Sequence, residues 1–310
     1  MAKIKLFALN GNKPLAQKIA ATLNMELSPA SVKHFADGEI QIDIEKSIRG
    51  ADVYVIQSVS DPVNENFMEL MIMIDALRRA SAHQINVVIP YYGYARADRK
   101  ARSREPITAK MVANMLEMDG VDRVITVDLH ADQLQGFFDI PVDHLRAMPL
   151  LAKYFTDQGI TDNVVAVAPD HSGTKLARKL AEHLGSPLAI VDARPGDDEG
   201  VGVIGDVKGK TAIIIDDMID TGLRVEESVA ALKEAGVKDI YAAATHAVFS
   251  AGATDRLRNL DIKKIVVTDT IDIPEEDCLP NMVRISVGEL LGEAIKLIST
   301  NESLHDLFED

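Results

Sequence analysis

Residues 211–224 read Thr-Ala-Ile-Ile-Ile-Asp-Asp-Met-Ile-Asp-Thr-Gly-Leu-Arg, an apolar run that ends in paired carboxylates and turns through Asp-Thr-Gly into an amphipathic stretch. A buried parallel strand over Ala212–Ile215, followed by a helix opening near Gly222, aims free backbone N–H groups at whatever binds beyond the strand's C-terminal end. Such groups attract phosphate. Asp216 and Asp217 repel it, but they accept hydrogen bonds from sugar hydroxyls or hold a cation. Together with Asp220, Thr221 and Gly222 they read as a sugar-phosphate site; the alternative is a strand end capped by solvated carboxylates.

A second cluster has the opposite sign. Arg96, Arg99, Lys100, Arg102 and Arg104 crowd together in a chain whose 33 Lys and Arg face 48 Asp and Glu, a formal net charge of -15. They follow the apolar run Ile85–Ile89, so they emerge where open α/β sheets bind ligands, and a polyphosphate is their natural counter-anion. A solvated or oligomer-facing charge run is the alternative. Tyr91, Tyr92 and Tyr94 beside them either stack on a base or pack. His130 follows Val124–Val127, and Asp170 with His171 follows Val164–Val167, marking two more strand ends where a divalent cation can neutralise phosphates. Magnesium prefers oxygen, so His130 binds it through water, favours another metal, or is structural. Phe35-Ala36-Asp37-Gly38-Glu39 forms a compact turn whose carboxylates can accept from an exocyclic amine or a sugar, or simply face water. No metal-ligand cysteine set, glycine-rich Walker loop or nucleophile elbow is present.

These segments need a scaffold of strands and helices in alternation. Apolar runs recur at Ile4–Ala8, Val53–Ile56, Ile85–Ile89, Val124–Val127, Val164–Val167, Leu188–Val191, Ala212–Ile215, Ile240–Ala244 and Ile265–Val267. Helical periods fill Pro62–Ala82, Pro106–Met118, Met148–Gln158, Gly173–Leu184, Leu223–Ala235 and Val287–Ser299. Asp61 and Glu105, each before a proline, are expected helix N-caps; Gly120 and Gly236 are expected C-terminal stops. The pattern predicts an α/β protein with parallel sheets flanked by helices. At 310 residues and 47% hydrophobic content, the chain is long enough for two such domains. Pro141 interrupts the pattern, which places the boundary between 1–143 and 144–310. The glycine- and acid-rich stretch Ala193–Gly202 is expected to be a mobile surface loop. The acidic balance argues against nucleic acid or an anionic membrane as partner. The apolar stretch Phe67–Leu77 is broken by Glu69 and Asp75 and too short to span a bilayer. A single cysteine, Cys278, and the lack of a secretory-type start favour a reducing, cytoplasmic setting.

Taken in order, Phe35–Glu39, Gln57–Leu77, Pro90–Met118 with its Asp-Arg-Lys-Ala-Arg-Ser-Arg-Glu-Pro run, Asp128–His144 and Asp216–Gly222 closely resemble the ribose-phosphate pyrophosphokinase (PRPP synthetase) family across nearly the whole chain. The resemblance implies two tandem phosphoribosyltransferase-like domains, the first on the ATP side and the second carrying the ribose-phosphate loop, in a homohexamer. It also implies diphosphoryl transfer from ATP to the 1-hydroxyl of ribose 5-phosphate, giving PRPP and AMP with Mg2+. Phe35, Asp37, Gly38, Glu39, Arg96, Ala97, Asp98 and Arg99 are then the ATP-binding set, and His130 and Asp170 are associated with the metal. Asp216, Asp217, Asp220, Thr221, Gly222, Leu223 and Arg224 form the ribose 5-phosphate loop. The chain departs from the family pattern at four places. Ala193 stands where the family has a catalytic Lys, Pro195 where it has a loop Arg, Leu223 and Arg224 where it has Gly and Thr, and Ala97 where it has Gln. Arg194 and Arg224 are the residues expected to supply part of the missing positive charge. The alternative implied by the same departures is a catalytically weak or silent paralogue that binds nucleotide or phosphate as a regulatory subunit.

Overall fold

The computed structural model describes residues 3–192, 202–250 and 252–308. The chain forms two compact units.

The first unit runs to Arg146 and also takes in 270–272 and 286–308. It contains β1 (Ile4–Ala8), α1 (Lys13–Thr22), β2 (Ala30–His34), β3 (Ile40–Ile44), β4 (Asp52–Ile56), α2 (Val63–Arg79), β5 (Gln84–Ile89), α3 (Thr108–Asp119), β6 (Arg123–Val127) and β7 (Val142–Leu145). Its main sheet has the order β1-β4-β5-β6-β7 with every pair parallel. β2 and β3 form a separate antiparallel hairpin. Strands β4, β5 and β6 are buried nearly throughout, so each reads as a plain apolar run. Strand β3 alternates half-buried with exposed positions, and Val32, Ile42 and Ile44 rest on the core.

The second unit contains α4 (Met148–Asp157), β8 (Val164–Ala168), α5 (Thr174–Leu184), β9 (Leu188–Asp192), β10 (Gly202–Ile204), β11 (Thr211–Ile219), α6 (Leu223–Glu234), β12 (Asp239–Ala247), α7 (Ala253–Arg258), β13 (Ile265–Thr268) and β14 (Met282–Ile285). Its sheet has the order β10-β9-β8-β11-β12-β13-β14, parallel except for the edge strand β10. Alternate residues of β11 serve two cores: Ile213 and Ile215 join Leu151, Phe155 and Leu180 on one face, while Ala212 and Ile214 join Val225, Val229 and Leu232 on the other. Each unit is thus a mostly parallel sheet flanked by helices.

The chain end returns to the first unit as α8 (Gly288–Thr300), with α9 (His305–Phe308) after it. Two expected caps differ. The N-cap position of α2 is Pro62, one residue beyond Asp61, and α3 begins after Ile107, leaving Glu105 to accept hydrogen bonds from Ala101 N and Arg102 N at 2.9 and 2.8 Å. Gly120 does end α3, in a left-handed conformation. Among the described residues no helix is long and apolar enough to cross a membrane.

Candidate functional site

In the second sheet the chain runs outward in opposite directions from the neighbouring strands β8 and β11. Such a switch point leaves a crevice beyond the strands' C-terminal ends. Asp170 follows β8, Asp216 and Asp217 lie in the last turn-ward part of β11, and Asp220-Thr221-Gly222 lead into α6. The structure therefore brings the predicted Asp170 and the 216–224 segment to one place. Arg224 joins them: its Nη1 lies 3.1 Å from Asp170 Oδ2 and 3.7 Å from Asp216 Oδ2.

The backbone of this loop is built for close approach. Gly222 is left-handed at φ +75°, a conformation that strains any side chain, and a Cβ there would press on Leu257 Cγ at 3.3 Å. Thr221 Oγ1 accepts from Leu223 N at 3.4 Å, and the Thr221 carbonyl accepts from Arg256 Nη1, whose Nε pairs with Glu226 at 2.9 Å. Arg256 on α7 braces the loop from 35 residues away in sequence, and no linear spacing signals it.

The carboxylates differ in state. Burial, then the adjacent Asp217 carboxylate, pushes the Asp216 carboxyl up to about 8, against the pull of Arg224. At Asp170 partial burial also raises the pKa, but hydrogen bonds from the Ser172 hydroxyl and the N–H groups of Gly173 and Ser172, with the Arg224 charge, outweigh it and hold the group below the usual range. His171 turns away to Asp192 Oδ1, 3.1 Å off. Arg194, with Ala193 and Pro195 and the expected mobile loop up to residue 201, lies outside the described residues.

The first unit carries the other predicted groups at the C-terminal ends of β5 and β6, neighbours in its sheet. Arg96, Ala97, Asp98 and Arg99 sit in the loop after β5, with both arginines exposed. Asp98 Oδ2 accepts from Gln133 Nε2 at 3.2 Å, which ties that loop to the one after β6 bearing the exposed His130. Tyr91 and Tyr92 are buried and pack, Tyr92 edge-on to Phe138 at 6.0 Å, whereas Tyr94 stays exposed. Arg146, unmarked by the sequence reading, reaches Asp132 Oδ1 at 2.7 Å beside His130, and His144 Nε2 accepts from Leu129 N at 2.7 Å. Phe35, Asp37, Gly38 and Glu39 form the tip of the β2–β3 hairpin, where Phe35 N donates to Glu39 O at 2.8 Å and Glu39 N to Asp37 Oδ1 at 3.1 Å. That tip stands on a different sheet from the other two loops.

Among the described residues no three His, Cys, Asp or Glu side chains gather into an all-protein metal cage. Magnesium does not need one, since one or two carboxylates plus substrate phosphates ordinarily suffice.

The chain is similar to known proteins over almost its whole length. Residues 4–120 match the family profile described as the N-terminal domain of ribose phosphate pyrophosphokinase, and residues 166–309 match the phosphoribosyl synthetase-associated domain. The chain is 61% identical over 311 aligned positions to a putative ribose-phosphate pyrophosphokinase 2 of Lactiplantibacillus plantarum, covering 99% of this chain and 97% of that protein. It is 57% identical to ribose-phosphate pyrophosphokinase 2 of Enterococcus faecalis, covering 99% and 96%. The crystal structure of phosphoribosylpyrophosphate synthetase from Mycobacterium smegmatis superposes with a TM-score of 0.93 at 42% identity, covering 96% of this chain and 99% of that one. With these relatives spanning both sheets and the loops they carry, the chain belongs to the ribose-phosphate pyrophosphokinase family.

Proposed function

We propose that this chain transfers the β,γ-diphosphoryl group of ATP to the 1-hydroxyl of ribose 5-phosphate, giving PRPP and AMP. The hydroxyl oxygen attacks the β-phosphorus, the bond from that phosphorus to the α,β-bridging oxygen breaks, and AMP leaves with the bridging oxygen while the hydroxyl proton passes to solvent. Such displacement at phosphorus needs positioning and charge neutralisation more than a protein nucleophile. The observation that carries the reading is the switch-point loop. A glycine-hinged helix start, with paired carboxylates and one arginine beside it, offers N–H groups to a phosphate and acceptors to ring hydroxyls.

In this reading Asp216, Asp217, Asp220, Thr221, Gly222, Leu223 and Arg224 hold ribose 5-phosphate. Phe35, Asp37, Gly38 and Glu39, with Arg96, Ala97, Asp98 and Arg99, hold ATP. The first unit is then the ATP side. His130 and Asp170 are the residues that the family resemblance associates with Mg2+, and the ion, when bound, would neutralise phosphoryl oxygens. Arg224, paired with Asp170 at 3.1 Å and 58% exposed, offers its guanidinium to phosphate at the same place. A homo-oligomer, hexameric by family resemblance, belongs to the same proposal. The test is AMP formation from ATP, ribose 5-phosphate and MgCl2 by the purified chain; no AMP above a no-enzyme control removes the reading.

One observation favours the second reading, a weak or silent regulatory paralogue. Arg224 already fills the space between Asp170 and Asp216 with positive charge, and Ala193 stands where the resemblance places a catalytic Lys. Loss of one preorganised charge stabiliser costs about a hundred- to a thousand-fold in rate. Ala193→Lys is therefore expected to raise kcat by about that range if the paralogue reading holds. A fully active parent that gains nothing from the change removes it.

A further inference from the structure

A buried carboxylate beside the turn end of the β2–β3 hairpin takes no part in the chemistry above. Glu69 on α2 is only 1% exposed. Its Oε2 accepts from Asn10 N at 3.1 Å and Gln57 Nε2 at 3.0 Å, and its Oε1 accepts from Asn10 Nδ2 at 2.5 Å. Gln57 is itself fixed, accepting from Gly11 N at 2.8 Å and donating to Asn66 O at 2.9 Å. The ends of β1 and β4 thus hold the carboxylate rigid against α2. Its remaining contact is His34 Nε2, 2.7 Å from Oε1. An ionised carboxylate only accepts, so Nε2 carries the proton and donates.

His34 is the last residue of β2, paired with Ile40, and Phe35 follows at once. The tip from Phe35 to Glu39 is exposed throughout, so packing does not orient it. A two-stranded hairpin is marginal unless it is held to something else. Val32, Ile42 and Ile44 hold its apolar face, and His34 supplies a directional polar tie at the residue next to the tip. The other ring nitrogen, Nδ1, faces Glu65 Oε2 at 3.7 Å, so both ends of the imidazole look onto α2.

We propose that His34 is a positioning residue for the nucleotide: through Glu69 it fixes the direction in which the Phe35–Glu39 turn is presented. This inference rests on the assignment of that turn to ATP. His34→Ala is expected to raise KM for ATP about 10-fold, the worth of one charge-assisted hydrogen bond, while kcat and KM for ribose 5-phosphate stay within about two-fold. His34→Gln, which keeps an N–H donor, is expected to bring KM back towards the parent value. Amide exchange over residues 30–44 should quicken in the alanine variant and stay slow in the glutamine variant. An active parent whose alanine variant keeps its KM for ATP, or raises both KM values alike, overturns the inference and leaves the reaction intact. An inactive parent instead overturns the reaction, and the inference with it.

Discussion

Asp216 shows how one residue can set both a cost to the fold and a readiness to bind. Its carboxyl is 14% exposed and is raised to about 8, first by burial and then by Asp217. In the unfolded chain an Asp titrates near about 3.9, so between roughly that pH and 8 the folded state holds a proton that the unfolded state has lost. Raised acid pKa values lower stability as pH rises through that window, by up to about 1.36 kcal/mol for each unit. Asp216→Asn, neutral at every pH, removes the effect. Its Tm advantage over the parent should be near zero at pH 4 and grow as the pH rises towards 8. Calorimetry across that range checks it, and an advantage that does not change with pH contradicts the assigned cause. The same desolvated carboxyl gains most from a neighbouring cation. That is why Arg224, although 58% exposed and worth little to stability as a surface pair, is well placed to matter to ligands.

At the scale of elements, the return of α8 to the first unit depends on two glycines one helical turn apart. A Cβ on Gly288 would meet Lys18 Cβ at 2.8 Å, and one on Gly292 would meet Thr22 Cβ and Cγ2 at 2.7 Å, so the α8 backbone lies directly against the first side-chain carbons of α1. Gly292→Leu is expected to cost about 1–3 kcal/mol through overpacking, lowering the urea midpoint with m unchanged and leaving kcat as in the parent. An unchanged midpoint would mean that the two helices simply slide apart. This return is not legible in sequence, because periodicity marks a helix over 287–299 without saying which unit it covers, and a single cut after residue 143 has no means of assigning it. Legibility elsewhere follows burial. Strands covered on both faces, such as β5, β8 and β11, announce themselves as apolar runs, and the site loops that follow them are found with them. The half-buried hairpin strands form no apolar run, although Ile-Gln-Ile-Asp-Ile over β3 carries the alternation that marks such a strand. α1 is likewise absent from the helical periods read above, and its signals are Asn12 capping Leu15 N and Leu15, Ala16, Ile19 and Ala20 at helical spacing. At the site, the aspartates and the Asp-Thr-Gly turn were legible, whereas Arg256 behind Thr221 and Glu69 behind His34 depend on contacts between segments far apart in sequence.

For the whole molecule, the field opposes the ligand that the local groups attract. A net charge of -15 repels a nucleotide triphosphate at long range, while Arg96, Arg99, Lys100, Arg102 and Arg104 attract it at short range from one exposed loop. Salt separates the two effects by distance. At about 0.01 M the screening length is roughly 30 Å and the whole acidic surface is felt; at about 0.15 M it is roughly 8 Å and little beyond the loop contributes. At fixed free Mg2+ and saturating ribose 5-phosphate, kcat/KM for ATP is therefore expected to rise about two- to five-fold from 10 to 150 mM KCl. It should fall again towards 1 M, where screening over roughly 3 Å reaches the arginine–phosphate contacts proposed above. A protein whose basic groove dominated its field would show only the fall. Stopped-flow or initial-rate measurements over that range decide between them, and a decline beginning at the lowest salt would mean that ATP is steered by the Arg96–Arg104 loop in spite of the charge around it.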